Sequence, residues 1–255
     1  MKTSTIWDKR WVRIAAAAAF WLAAWQGVSM AIPKLLFAGP VPTVQSLLSM
    51  LPTAAFWASV AGTVGKIAAG FAAAFAAGGI LAALCSWSKA CRAILEPAVH
   101  MMKSLPVACF VVVALIWVPS AWISVLTAYF VVFPAVYINL RTGISGANRK
   151  MLEMARVFRL SAAKRARVVW IPAVLPYLLS ACRVTVGMAL KAGIAGEIIG
   201  LPRHSIGEQL YLAKLYLNTD DLFAWSIAII GLSFVLEKLL VHAIAAAQRK
   251  WGAPA

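Results

Sequence analysis

The chain has 255 residues, 63% hydrophobic and 13% charged, with a mean hydropathy of +0.85 and a net charge of +16. Soluble domains carry roughly a quarter of their residues as charges, so a water-facing globule, a disordered chain and a collagen-like repeat are all excluded, and the chain reads as a membrane protein. In a soluble protein the basic excess would point to nucleic acid; here it is a topological signal, and no nucleic-acid partner is expected.

A basic arm, residues 1–13, precedes the apolar run Ile14–Leu36, which at about 1.5 Å per residue is long enough to cross about 30 Å of hydrocarbon. Its alanine-rich centre and the small residues Ser29-Met30-Ala31 resemble a signal peptide, but the run exceeds the roughly 7 to 15 apolar residues of such a region, so an uncleaved span is expected. Pro40, Pro42 and Pro52 punctuate the next stretch, where Val44, Leu47, Leu48 and Leu51 recur at helical spacing and predict a short amphipathic helix on the membrane surface. Five more apolar runs follow, at Ala58–Leu84, Ala93–Val118, Ala121–Leu140, Val174–Ile199 and Leu222–Ala246. Pro106 divides the second of these, which predicts a bent or re-entrant element that must be surrounded by protein.

The expected fold is therefore an all-α polytopic membrane protein of about six spans and one domain. Residues 1–54 would supply the arm, first span and outer amphipathic segment, 55–246 the core, and 247–255 a tail. With six spans and an inside N-terminus, segments 1–13, 85–104, 141–167 and 247–255 hold 17 of the 24 Lys and Arg, whereas the outer segments hold three. That asymmetry places both termini in the cytoplasm. Cys85, Cys91, Cys109 and Cys182 form neither a CxxC nor a Cys/His ligand cluster and read as packing residues.

The connection 141–167 is long, carries eight basic residues and has helix-forming sequence. Within it stand Glu153-Met154-Ala155-Arg156-Val157-Phe158-Arg159-Leu160-Ser161, then Ala162 to Trp170 and the pair Ile171-Pro172. The order Glu-x-Ala, a turn position six residues after the Glu and an apolar-Pro pair ending nineteen after it resembles the EAA loop of ABC importer permeases. Lys103-Ser104-Leu105-Pro106, Ile116-Trp117 and Phe133-Pro134-Ala135-Val136-Tyr137-Ile138-Asn139 are similar to the third and fourth spans of the nitrate, sulfonate and taurine permease group. Leu175-Pro176, Arg183, Gly187, Ala195-Gly196-Glu197, Ser205-Ile206-Gly207 and Asn218-Thr219-Asp220 continue the likeness, which runs from about residue 55 onward.

The resemblance implies a type I ABC importer permease with a cytoplasmic coupling-helix loop, in a bacterial inner membrane. It implies as partners two ABC ATPase subunits, which carry the ATP and Mg, a second permease copy, and an extracytoplasmic solute-binding protein, all within the lipid bilayer. Glu153, Met154, Ala155, Arg156, Arg159, Leu160 and Ser161 are then the expected ATPase-coupling residues. One departure is Arg159 at the position usually held by Gly; Arg lacks the freedom of Gly to take positive φ, so either the turn differs or Arg159 adds a charge contact. Ser161 is placed to cap a second helix, while Glu153 either sits in the N-terminal turn of the first or pairs with a basic group on the partner. A lipid anchor is the simpler role for a basic loop, but lipid makes no demand on the order of Glu, Ala, turn and Pro.

No enzymatic chemistry is nominated. The dipeptide Gly65-Lys66 has Val60 where a phosphate-cradling loop needs its first Gly and Ile67 where it needs Ser or Thr, and His100, His204 and His242 are far apart. Energy must come from another chain. The run Val174–Ile199 carries Arg183 and Lys191, charges that are costly in a span unless they face a cavity or partner. They lie about 12 Å apart along a helix and about 80° apart around it, so both reach one broad face, and with Gly187 and Glu197 they are the translocation-path candidates. Such a face suits a small oxyanion such as a sulfonate, taurine or nitrate. A structural alternative has Arg183 snorkelling and Lys191 paired with Glu197 of a neighbouring helix or second copy. Lys66 reads as a snorkelling residue, the Trp residues as interfacial anchors, and Gly200–Asp221, with Arg203, His204, Glu208, Lys214, Asp220 and Asp221, as a mixed-charge docking surface. The competing class is an ATP-independent secondary transporter or channel for a small anion; internal inverted repeats would mark it, and none is visible.

Overall fold

The computed structural model describes residues 10–250; the first nine residues of the basic arm and residues 251–255, with Trp251, lie outside the described residues. Within them the regular structure is all helical, with no strand. The elements are α1 (Arg10–Ala31), α2 (Pro40–Met50), α3 (Ala54–Trp87), α4 (Lys89–Ser104), α5 (Val107–Ala114), α6 (Ile123–Ser145), α7 (Arg149–Val157), α8 (Ala162–Arg165), α9 (Ile171–Gly200), α10 (Ile206–Leu215) and α11 (Thr219–Lys250). Five helices or continuous helical stretches are long and apolar enough to cross a membrane, and the bent pair α4–α5 makes a sixth if it counts as one span. Large apolar side chains such as Ile80, Val112, Trp117, Phe234 and Leu239 stand more than half exposed, which suits lipid and not water.

The third span is bent at Pro106, as the sequence predicts. Leu105 is extended, Pro106 has no N–H to continue the helix, and α4 and α5 meet at 105°. The first helix also ends earlier than the apolar run, at Ala31, because Pro33 forces the preceding backbone away from helical angles. The amphipathic helix expected around Val44 to Leu51 is α2, entered through Pro40.

The described chain divides into two compact units, residues 10–57 with 209–229 and residues 58–208 with 230–250. The first unit thus joins the amino-terminal segment to residues 209–229. It is held by aromatic contacts: Trp25 stacks on Phe223 at 5.9 Å, Phe37 meets Phe223 edge-on at 5.1 Å, and Phe56 stacks on Trp225 at 4.8 Å. Ser46 donates to Asp221 at 2.5 Å, and Thr219 donates to the carbonyl of Lys34.

In the second unit α6 and α9 form the principal helix pair, with α5 and α4 packed on it. Gly70 brings α3 against the carbonyl of Val125, so closely that a Cβ would collide with backbone. At the other end Glu96 receives Arg92 at 3.2 Å and also pairs with Arg141, tying α4 to α6 beside the basic connection.

Candidate coupling surface and translocation path

The 141–167 connection folds as two short helices with a tight reversal between them. Asn148 opens α7 by accepting the N–H of Lys150 at 2.9 Å. At the other end the Leu160 N–H reaches the Ala155 carbonyl at 3.0 Å and the Arg159 N–H reaches the Arg156 carbonyl at 2.9 Å. These two bonds define a Schellman motif, whose pivotal residue takes left-handed angles. That residue is Arg159, at φ 48°. Of the two readings of the missing Gly, a different turn or an added charge contact, the first is not what the backbone adopts: Arg159 takes the conformation Gly favours, at a cost of roughly 1 kcal/mol.

What keeps Arg159 there lies beneath the turn. Ala155 is fully buried and joins Ala147 and Val169, with Leu152, Leu160, Trp170 and Ala173 packed around them. Leu160 and Ala155 are the two positions whose apolar contact usually accompanies this motif. Of the expected coupling residues, Ala155 and Leu160 thus form the underside, whereas Glu153, Met154, Arg156 and Arg159 face outward. Ser161 caps α8 by accepting the Lys164 N–H at 3.4 Å, as expected. α8 then passes through a π-helical turn, Ala166–Trp170, into α9.

Glu153 does not sit in the first turn of α7, as one reading held; it is the fifth helical residue. It makes no ion pair among the described residues, so its carboxylate is free for a partner. The sequence reading missed Val157 and Phe158, 78% and 72% exposed beside Arg156 and Arg159. They belong to no apolar run, so hydropathy gives no signal for them. Together these residues form a patch with an apolar centre and charged edges, of the composition that protein partners bind.

On α9 the exposed positions Val184, Met188, Lys191 and Ala195 recur at three- and four-residue intervals, with Arg183 exposed beside Val184. Gly187 has open space where a Cβ would stand. Arg183 and Lys191 thus share one open face and are without ion pairs among the described residues.

Glu197, expected with them, is turned about 120° from Lys191 around the helix and is fully buried. Its Oε1 accepts Ser124 Oγ at 2.8 Å, and its Oε2 accepts Thr63 Oγ1 at 2.9 Å and the Gly207 N–H at 3.1 Å. Thr63 Oγ1 in turn accepts the Ile206 N–H at 2.9 Å. Glu197 therefore joins α3, α6 and α9 to the amino end of α10, where helical N–H groups favour a negative charge. This also removes Lys191 as its partner within the chain. Ser205 completes the start of α10 by accepting the Glu208 N–H at 3.1 Å, while Glu208 accepts the His204 N–H at 2.7 Å. Thr63 and Ser124 were missed because lone hydroxyls in apolar runs carry no pattern.

At the elbow between α4 and α5 lies a cavity of about 360 Å³. Its walls include Met102, Leu105, Phe130, Pro134 and Met188, with Lys103 and Asn139 as polar groups. Phe130 stacks on Phe110 of α5 with ring centroids 3.8 Å apart, which fixes one wall.

The family described as binding-protein-dependent transport system inner membrane component matches residues 74–251. The protein named as an aliphatic sulfonates transport permease of Bacillus subtilis is 25% identical over 227 residues, covering 87% of this chain and 82% of that protein. The taurine transport system permease protein of Escherichia coli K12 is 24% identical over 215 residues, 81% of this chain and 77% of its own. A bicarbonate transport system permease protein of Synechococcus elongatus is 28% identical over 152 residues, 56% of this chain and 52% of its own.

Proposed function

The chain belongs to the binding-protein-dependent transport inner membrane family, as an ABC importer permease of the nitrate, sulfonate and taurine group, and from that premise we propose that it forms the path for a small oxyanion. Two copies, each engaging an ATPase subunit through α7 and the turn after it, receive the solute from an extracytoplasmic binding protein. The observation that carries the ATPase contact is the outward patch of Glu153, Met154, Arg156 and Phe158 held over a buried Ala155.

In this reading ATP closes the ATPase pair, the 149–165 segment moves with it, and the spans exchange inward-facing for outward-facing states. Binding energy at the ATPase must differ between the two states, or no solute would be driven. Lys191 supplies a point charge and Arg183 a forked donor set along the open face of α9, both matched to an oxyanion.

The test is affinity purification of the tagged chain from its native membrane, with mass spectrometry of bound proteins. Recovery of a P-loop ATPase, weakened by Glu153→Lys while the permease stays inserted, supports the reading. Recovery of this chain alone, with solute movement in vesicles lacking ATP, would replace it with a secondary transporter or channel.

A further inference from the structure

Two of the four cysteines meet at the join of α3 and α4, outside the coupling patch and the open face of α9. Cys85, in the last turn of α3, is buried; Cys91, in the first turn of α4, is half-buried, and their sulfur atoms stand 3.0 Å apart. Between two reduced thiols that contact gains only a weak hydrogen bond, so packing gives little reason for it. A covalent bond between them needs only a small further approach.

The surroundings give the two thiols different parts. Cys91 is the one that solvent reaches, while contact with Cys85 raises it above the ordinary thiol pKa. Little of it is thiolate at neutral pH, so it reacts slowly and answers a sustained oxidant, not a brief one. Cys85 is closed to solvent and is reached only by its neighbour. Tyr137 of α6, 1% exposed, has its hydroxyl beside Cys85 without a hydrogen-bond partner. A buried O–H left unpaired is costly, and a Cys85 thiolate would accept it as the thiol gives up its proton.

The same place joins the helices that lead to the coupling segment. Gly78 lets α3 close on Val136 and on the backbone of Tyr137. Glu96, further along α4, pairs with Arg141, which opens the connection carrying α7. Only residues 86–90 separate the two cysteines, so a disulfide would fix the start of α4 against α3 while Glu96 holds α4 to α6.

We propose that Cys85 and Cys91 are an oxidant-responsive modification site, closed to a disulfide by hydrogen peroxide, and that closure stops the coupling segment from driving the spans. The Cys91 thiolate attacks peroxide and breaks its O–O bond, giving a sulfenic acid and a hydroxide that takes up the thiol proton as water. Cys85 then attacks the sulfenic sulfur; an S–S bond replaces the S–O bond, and hydroxide leaves with the Cys85 proton as a second water. The two sulfurs give up two electrons and the peroxide accepts them, while two equivalents of a small thiol reverse the change. The proposal rests on the permease reading, which sets the join on the cytoplasmic side, where thiols are otherwise kept reduced.

The complex, purified through the tagged chain and held in nanodiscs, is treated with hydrogen peroxide, and ATP hydrolysis is measured before and after dithiothreitol. Trypsin cuts after Lys89, so non-reducing mass spectrometry sees closure as two peptides joined. The expected result is closure with loss of hydrolysis, both reversed by dithiothreitol, and neither occurring in Cys91→Ser or Cys85→Ser. In Cys85→Ser, dimedone should trap a sulfenic acid on Cys91. Tyr137→Phe should slow closure about tenfold, the worth of one hydrogen bond to a charged group. Cys91→Ala repeats the measurement should a serine variant fail to assemble. Closure with hydrolysis unchanged, inhibition that persists in both serine variants, or a Cys91 sulfenic acid that never closes on Cys85 each overturns the proposal. ATPase co-purification from untreated samples separates the two readings. Bound ATPase without closure sinks the thiol pair and leaves the permease standing; absence of ATPase sinks the permease reading, and closure on the chain alone still decides the pair.

Discussion

Glu197 and Gly207 touch across the bend between α9 and α10: the Gly207 N–H donates to Glu197 Oε2 at 3.1 Å, and a Cβ on residue 207 would overlap the side chain of Glu197. Because Ser124 and Thr63 also donate to this carboxylate, removing it leaves three buried donors without an acceptor. Glu197→Ala should therefore destabilise the chain by on the order of 3 kcal/mol. Glu197→Gln should cost less than half as much, since its amide can face the Ser124 hydroxyl, which also accepts. Thermal unfolding in detergent, followed by tryptophan fluorescence, measures both; equal loss in the two variants would remove the hydrogen-bonding account.

Arg159 offers a separation of backbone from charge. Arg159→Gly relieves the left-handed backbone and should slow hydrogen exchange at the Leu160 amide by a factor reflecting about 1 kcal/mol. Arg159→Val should speed exchange, because β-branching disfavours the same angles. If Arg159→Gly also weakens ATPase association, the guanidinium contacts the partner; unchanged association assigns the residue to the turn alone.

Ala155 is fully buried under the Schellman turn. Ala155→Leu should overpack this site, costing about 1–3 kcal/mol locally and lowering ATPase recovery, although residue 155 itself never reaches the surface. Limited proteolysis of the loop, run beside the pull-down, distinguishes this from loss of a direct contact, since only the packing defect increases cleavage.

Cys85 and Cys91 bring their sulfur atoms within 3.0 Å at the join of α3 and α4. A mild dithiol oxidant such as a dipyridyl disulfide should take both thiol hydrogens and close an intrachain bond between them, before Cys109 or Cys182 joins any disulfide. Peptide mass spectrometry after alkylation reads this directly; a mixed disulfide on either residue without closure would show that the two sulfurs do not meet in the membrane.

Lys191 stands open on α9 with Arg183 about two turns away. Lys191→Ala should lower uptake of an anionic solute about tenfold, the worth of one charged hydrogen bond, at unchanged assembly. Equal uptake per assembled complex would place Lys191 outside the path.

Much of this architecture is legible in the sequence because long apolar runs and a proline in the third one are local signals. The partition of α9 into an open face and a buried face is less so. Arg183, Lys191 and Glu197 all read as charges in one span, but Glu197 differs only through Thr63, Ser124 and Gly207, and the two hydroxyl partners lie 134 and 73 residues away in the chain. No local pattern encodes a contact of that range. Arg159 illustrates the converse: the spacing marks the turn, yet residue preferences alone leave its backbone angle open, because the Leu160–Ala155 packing that accompanies it is a tertiary contact.

The π-helical turn at Ala166–Trp170 has a mechanical meaning of its own. Such a turn stores one residue more than an α-helical turn does. Were it to relax to ordinary pitch, every side chain beyond it would revolve by about 100° around the α9 axis. A short stroke delivered at α8 therefore has two outlets, a tilt and a screw, and the screw would carry Arg183 and Lys191 around together like two marks on a turning key.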